Sequence, residues 1–236
     1  MIKVLYEDNH IIAVYKPSGV LTQGDRSGDK CLMDDVKEYL KEKYKKAGNV
    51  FLGLVHRLDK PVSGIVLFGK TSKGASRLSE QFRNHTIQKT YHGIVVGKPK
   101  ENKGVIKEQV NKISFFAEGF TNKSDEELLA EIKKATKTRT AELSYEVIKS
   151  NDKYSLLKIL PKTGRFHQIR IQMLQMGCSI LGDSKYPSTG SGQVATGWSD
   201  RNSIALCATA ISFKLATEDK QMNLEIPLPE SWKRYI

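Results

Sequence analysis

One segment, residues 55–64, most constrains what this chain can fold into. It consists of Val55-His56-Arg57-Leu58-Asp59-Lys60-Pro61-Val62-Ser63-Gly64. It separates a strand-like approach, residues 51–55, from a short apolar strand, residues 65–68, and its Pro and Gly predict a turn between them. Catalytic groups are commonly displayed on such loops, which makes Arg57 and Asp59 candidates. Taken by themselves, the two fit an exposed ion pair of little energetic value better.

The rest of the chain alternates strands and helices irregularly, with hairpin-like spacings among the strands. Predicted strands cover residues 4–6, 11–15, 65–68, 90–96, 141–149, 154–160 and 204–213; predicted helices cover residues 31–46, 72–85, 124–134 and 166–176. This pattern favours an α+β fold with a central mixed or mostly antiparallel sheet flanked by helices. We predict a single domain over residues 1–236. Residues 104–137 are a candidate variable insertion, or equally a plain surface hairpin and helix.

Charge and cysteine usage indicate which kinds of partner and which cellular compartment suit this chain. The chain has 38 Lys and Arg against 26 Asp and Glu, a net charge of +12 that favours a polyanion, most commonly nucleic acid. Charge alone also fits a basic protein with no such partner.

The three widely spaced cysteines argue against a disulfide framework or zinc site and fit a reducing cytoplasm. Early charges argue against a secretory signal, and no stretch approaches the roughly 20 apolar residues of a membrane helix.

Five segments, taken in order, carry a resemblance to a known family. They are residues 6–19, 56–64, 88–95, 163–170 and 182–186. Together they resemble the motifs of the RluA-type pseudouridine synthases, and they extend over most of the chain. Val62 stands where that family usually has Thr. The hairpin begins at residue 2, so we expect no S4-type RNA-binding domain before it. The resemblance implies the pseudouridine synthase fold with an active-site cleft.

The same resemblance implies an activity. Members are isomerases that flip a specific uridine out of ribosomal or transfer RNA, break its C–N glycosidic bond and rejoin the base through carbon. It implies Asp59 as the catalytic carboxylate, Tyr91 as the aromatic stacked on the uracil, and Arg170 as the cation paired with Asp59. It implies no metal, cofactor or nucleotide. Whether Asp59 first attacks covalently or first removes a sugar proton is left open by the sequence.

Further residues of the motifs are candidates for RNA contacts. Arg57 resembles the arginine that takes the place of the extruded uridine in the RNA stack. Weaker candidates for phosphate or loop-ordering contacts are His56, Lys89, Arg165, His167 and Gln168. For His167 a local hydrogen bond to the backbone is at least equally expected. We expect a cytoplasmic monomer with an RNA stem-loop as its partner.

Three other functions compete with this one. An RNA-binding module with a vestigial site is opposed by the intact Asp59, Tyr91 and Arg170. A glycoside or nucleoside hydrolase usually needs a second carboxylate, and Asp183, in a turn with a neighbouring lysine, is more typical of a structural residue. A metal-dependent nuclease needs clustered acidic or histidine ligands, which the sequence does not present.

Overall fold

The structure, a computed structural model, describes residues 2–25, 28–111, 138–187, 198 and 202–236. These residues form ten β-strands, three α-helices and one 3-10 helix. The strands are β1 (Lys3–Glu7), β2 (Ile11–Lys16), β3 (Gly53–Leu54), β4 (Ser63–Gly69), β5 (Gln88–Val96), β6 (Lys103–Asn111), β7 (Thr138–Ser150), β8 (Tyr154–Pro161), β9 (Leu206–Lys214) and β10 (Gln221–Glu225). The helices are α1 (Leu32–Lys43), α2 (Ser72–Arg83), α3 (Gln168–Gln175) and the 3-10 helix Glu230–Arg234.

The chain divides into two compact units. The first contains Met1–Lys89 and Cys207–Pro227, and the second contains Thr90–Leu206 and Leu228–Ile236. The expectation of a single domain over residues 1–236 stays a prediction.

The first unit has a mixed sheet in the order β1-β2-β4-β9, with β10 beside β9 and the short β3 beside β4. Strand β2 runs antiparallel to β4, from Ile11 opposite Gly69 to Lys16 opposite Gly64. Strands β4 and β9 are parallel, with Gly64 opposite Ala208. The apolar runs at the centres of β2 and β4 are almost wholly inaccessible, as continuous apolar strands covered on both faces should be.

The two helices of this unit follow ordinary helix rules. Helix α1 buries Leu32, Val36 and Leu40, which are four residues apart and therefore share one face. Helix α2 begins after Thr71, whose Oγ1 accepts a hydrogen bond from the N–H of Gly74 at 3.1 Å and caps the helix.

The second unit has an antiparallel sheet in the order β5-β8-β7-β6. The β6–β7 hairpin runs in unbroken register from Lys103 opposite Glu146 to Asn111 opposite Thr138. Helix α3 is buried on all sides, from Gln168 to Leu174. Gly177, in the left-handed region at φ 77°, ends it, and its N–H donates to the Leu174 carbonyl.

The predicted α+β class with a mixed, mostly antiparallel sheet is confirmed, and the predicted helices 31–46, 72–85 and 166–176 correspond to α1, α2 and α3. The predicted helix 124–134 lies outside the described residues, as does most of the segment 104–137. Strand β6 covers residues 103–111, at the start of the segment for which the sequence allowed either a variable insertion or a surface hairpin and helix. No helix in the described part of the chain is long and apolar enough to cross a bilayer.

Candidate active site

The loop between β3 and β4, residues 55–62, presents Asp59. A turn closes it, in which the Val62 N–H donates to the Asp59 carbonyl oxygen at 3.0 Å. Leu58 and Val62 are buried, Arg57 is exposed, and Asp59 has intermediate exposure. Because Val62 packs inward and its backbone makes the turn, a valine in place of the family's usual threonine leaves this geometry intact.

Lys16, which the sequence did not mark as a site residue, is hydrogen-bonded to the backbone of this loop. Its side chain is inaccessible, and its Nζ donates to the carbonyl oxygens of Pro17 at 3.0 Å, Val20 at 2.7 Å and Lys60 at 3.1 Å. Burial lowers the pKa of Lys16 to about 8, although the charge of Asp59 acts in the opposite direction. The ammonium group therefore joins the turn after β2 to the residue that follows Asp59.

Thr22 holds the loop on the other side of Asp59. Its buried Oγ1 donates to the Leu58 carbonyl oxygen at 2.9 Å and accepts from the Leu58 N–H at 3.2 Å. The Gly19 N–H also donates to the Lys60 carbonyl oxygen at 2.8 Å. The backbone is thus fixed at residues 58 and 60, immediately before and after Asp59.

His56 is turned into the protein. Its Nε2 accepts a hydrogen bond from the Leu67 N–H at 2.9 Å, and its ring stacks on Phe82 with centroids 4.7 Å apart. Burial and then the charge of Lys89 lower the pKa of His56 to about 3, so the ring is neutral at pH 7. Burial likewise lowers the pKa of Lys89, at the start of β5, to about 8. The RNA contacts expected of His56 and Lys89 stay predictions.

Tyr91 belongs to the second unit. It lies near the start of β5 opposite Ile159 of β8, at intermediate exposure. Its backbone is paired with β8, which suits a side chain required at a constant position. Its predicted stacking on a uracil stays a prediction.

The turn at residues 163–168 is held by Gln168. Its buried Oε1 accepts from Thr163 Oγ1 at 2.7 Å and from the Arg165 N–H at 3.0 Å, and its Nε2 donates to the Glu142 carbonyl oxygen at 3.1 Å. Arg165 is partly exposed, with Nε donating to the Thr140 carbonyl oxygen at 3.3 Å. Gln168 therefore makes its bonds within the protein, and its expected RNA contact stays a prediction.

Arg170 is buried on α3 and paired with Asp183. Its Nε donates to Asp183 Oδ2 at 2.6 Å and its terminal NH2 donates to Oδ1 at 2.8 Å, while its guanidinium lies 5.0 Å from the Tyr186 ring centroid. Asp183 Oδ1 also accepts from the backbone N–H groups of Lys185 and Tyr186. With both oxygens accepting, Asp183 is poorly placed as a general acid, which argues against the glycoside hydrolase. The pairing of Arg170 with Asp59 stays a prediction.

The predicted site residues thus belong to two different units of the chain. His56, Arg57, Asp59 and Lys89 belong to the first unit; Tyr91, Arg165, His167, Gln168 and Arg170 belong to the second. Sequence reasoning missed Lys16 and Thr22. The position of Lys16, at the end of the apolar strand β2 and directly before Pro17, was the available signal. Among the described residues, no group of three or more His, Cys, Asp or Glu is placed to hold a metal.

The fold of the described residues is that of pseudouridylate synthase domains. The fold matches that of the solved structure entitled Human RNA Pseudouridylate Synthase Domain Containing 4, with a TM-score of 0.76 over 98% of this chain and 90% of that chain, at 21% identity. At that identity the match concerns the fold alone.

Sequence comparison identifies the family. The profile described as RNA pseudouridylate synthase matches residues 10–175. Over 232 residues the chain is 30% identical to Ribosomal large subunit pseudouridine synthase C of Rickettsia bellii, covering 98% of this chain and 70% of that protein. It is 34% identical over 194 residues to tRNA pseudouridine synthase C of Pectobacterium carotovorum, covering 79% of this chain and 48% of that protein. The chain belongs to the RNA pseudouridylate synthase family, as its motifs predicted.

Proposed function

We propose that this chain converts specific uridines of ribosomal or transfer RNA to pseudouridine, with Asp59 as the carboxylate that promotes C–N cleavage. The observation that supports this best is the fixation of the Asp59 loop, by Thr22 on one side and Lys16 on the other. Holding a reacting group in position supplies a large part of many enzymes' rate enhancement, and a displacement of about 1 Å can cost ~100-fold in rate. A surface ion pair would need no such support.

The reaction needs no second substrate. The bond between C1′ and N1 of the uridine breaks, the uracil turns, and C1′ bonds to C5 of the same base. The hydrogen of C5 leaves as a proton and N1, freed from C1′, takes up a proton from solvent, so oxidation state and atom count balance without a cofactor. Asp59 acts at the sugar in the first step, either as nucleophile at C1′ or as base for a sugar proton. Both routes require an ionised carboxylate at a fixed position.

Tyr91 and Arg170 complete the proposed site. We assign Tyr91 as the ring on which the flipped uracil stacks, because an aromatic face accepts a base readily. We assign Arg170 as the cation that pairs with Asp59. The bidentate contact with Asp183 fixes the plane of the guanidinium, and a guanidinium has enough N–H donors to serve a second carboxylate.

The remaining motif residues divide between RNA contact and support. Arg57 is exposed, and we propose that it enters the RNA stack in place of the flipped uridine. Lys89 and Arg165 are proposed to contact phosphates. His56 and Gln168 are proposed to hold their loops, since their contacts are to backbone and neighbouring side chains. The enzyme is proposed to act as a single-domain cytoplasmic monomer without metal or nucleotide.

The decisive experiment compares Asp59→Asn and Asp59→Ala with wild type. The substrate is RNA labelled with tritium at C5 of uridine, prepared from cells in which the gene is deleted. We expect tritium release and pseudouridine formation by the wild type only. Asp219→Asn is a matched control, because Asp219 is 85% exposed and paired with Lys214 in the same unit. It should react as wild type does.

Two results would refute the proposal. Equal activity of wild type and the Asp59 variants would remove Asp59 from the chemistry. Release of free uracil without pseudouridine would indicate a hydrolase. Mapping pseudouridine across total RNA of the deletion strain and of its complemented control then identifies the modified uridine and decides between ribosomal and transfer RNA.

A further inference from the structure

An exposed aromatic pair lies at the start of α3. The Phe166 side chain is 42% exposed, and its ring stacks on that of His167 with centroids 3.8 Å apart and planes 17° apart. Neither the catalytic roles nor the support of the turn accounts for a phenylalanine held in this way. One face of its ring is covered by His167 while much of the side chain remains in contact with solvent.

The underlying histidine is held firmly. The His167 backbone lies in the left-handed region at φ 50°, an uncommon conformation for a residue with a side chain. Its Nδ1 is 2.8 Å from the hydroxyl of Tyr186, and the two rings meet edge to face at 5.5 Å. Tyr186 is itself buried. Strained conformations that the surroundings enforce cluster at functional sites.

The chemical setting favours an RNA base as the ligand. Arg165, the residue before Phe166, is partly exposed and brings a guanidinium to the same short segment. Aromatic faces flanked by positive charge are what proteins use to hold unpaired nucleotides, because every base has a face that can stack. The neighbouring Gly164 and Arg165 are small or charged, which suits one flat base better than an apolar peptide.

We propose that Phe166 is a stacking platform for an unpaired nucleobase of the RNA substrate other than the target uridine, and that Tyr186 positions it through His167. The identity of the RNA rests on the proposed function, but the stacking itself does not require catalysis.

A binding experiment tests the platform directly. The probe is a short single-stranded RNA containing 2-aminopurine, whose fluorescence is quenched when the base stacks. It is titrated with full-length protein in an Asp59→Asn background, which excludes turnover. We expect Phe166→Ala to weaken binding by about 5- to 150-fold, the usual loss for a base-stacking aromatic, and to reduce the quenching. Phe166→Trp should retain both.

Two further variants separate stacking from packing. Phe166→Leu keeps an apolar side chain over His167 but offers no aromatic face, so we expect it to resemble Phe166→Ala. Ile148→Ala is the matched control, since Ile148 is another exposed apolar residue of this unit, at 51%. Its binding should equal that of the parent protein. Binding and quenching by Phe166→Leu equal to the parent's would overturn the proposal.

Kinetics with RNA from the deletion strain distinguish the two proposals. Phe166→Ala should raise KM with little change in kcat, and Tyr186→Phe should give a smaller rise in the same direction. A fall in kcat at unchanged KM would instead indicate a packing role for Phe166 and overturn the platform. If the wild type makes no pseudouridine yet Phe166→Ala still loses quenching, the platform stands and the proposed reaction fails.

Discussion

The Asp59 loop and the turn that precedes α3 are both irregular segments, yet they are fixed by opposite means. Residues 58 and 60 of the loop are held by Thr22 and Lys16, which lie far away in sequence. The turn at residues 163–168 is held by its own Gln168, which also reaches the backbone of β7. The Asp59 loop is therefore supported by two residues that are distant in sequence, through a buried ammonium group and a hydroxyl group. The turn is supported by the neutral amide group of its own Gln168.

This difference affects how each segment responds to conditions. A buried ammonium group loses its proton as pH rises, whereas an amide does not titrate. The support of the Asp59 loop should therefore depend on pH and that of the turn should not. Four variants test or refine this contrast, beginning with the variant expected to have the largest effect.

Arg170→Met should destabilise the protein most. It leaves the buried carboxylate of Asp183 without its bidentate partner, and breaking a buried ion pair in this way costs about 3–5 kcal/mol. Urea unfolding measures the loss. Glu230→Gln, which breaks the exposed pair with Lys233, is the control and should change stability by less than about 0.5 kcal/mol. If Arg170→Met lost as little stability as Glu230→Gln, the buried pair of Arg170 and Asp183 would not have the stabilising role assigned to it.

Lys16→Met tests the charged support. The folded-state pKa of Lys16, about 8, lies below its ordinary 10.5, so between these pH values the unfolded chain holds a proton that the folded protein lacks. The wild type should therefore gain up to about 3 kcal/mol of unfolding free energy relative to the variant as pH rises from 8 to 10.5. Chemical denaturation at several pH values measures this.

The variant should also react more slowly than wild type at pH 7, because the Asp59 loop has lost its anchor. Lys89, with its pKa also lowered to about 8, is present in both proteins and cancels from the comparison. A constant difference in stability between wild type and Lys16→Met across this pH range would show that Lys16 does not titrate there.

Gln168→Leu tests the neutral support. It leaves the Arg165 N–H without its partner and removes one of several donors to the Glu142 carbonyl oxygen, at a cost of about 1–3 kcal/mol. This loss should be the same at pH 7 and pH 9. Gln175→Leu is the matched control on the same helix, since the buried Oε1 of Gln175 has no hydrogen-bond partner within the described chain. It should cost clearly less, and equal losses would show that hydrogen bonding by Gln168 is unimportant.

Thr22→Val should have the smallest effect. It preserves shape but removes both hydrogen bonds to Leu58, which should lower stability by about 1 kcal/mol. Pseudouridine formation should fall further than stability, since the lost bonds hold the residue next to Asp59. Thr22→Ser keeps the hydroxyl and should restore most of the activity. An unaffected reaction rate in Thr22→Val would show that this hydrogen bond does not position the loop.

Much of the fold followed from sequence because its strongest patterns are local. The apolar run of β4 and the four-residue spacing in α1 each predict their element from neighbouring residues. Strand β6 could not be predicted in this way, because its stability comes from pairing along β7 and its Val105 is exposed. Strand β3 has only two residues, and pairing with β4 alone defines it.

Prediction of the site from local sequence patterns is limited in the same way. The motifs indicated which segments carry chemistry, but not which way each polar side chain points. His56 and Gln168 were candidates for phosphate or loop-ordering contacts, and the sequence could not show that their side chains bond within the protein. Lys16 and Thr22 were missed because their targets are backbone carbonyls about 40 residues away. A backbone oxygen leaves no trace in the sequence, so such support becomes visible only in three dimensions.

The parallel contact between β4 and β9 has a consequence for biosynthesis. Gly64 lies opposite Ala208 at φ 130°, and a Cβ there would collide with the Ala208 backbone, so glycine allows the two strands to approach. More than half of the chain separates these residues. A ribosome therefore releases the Asp59 loop long before it releases β9, the strand that pairs with the residues directly after that loop. The loop should reach its final rigidity only after β9 has emerged, so catalytic competence should arise late in synthesis.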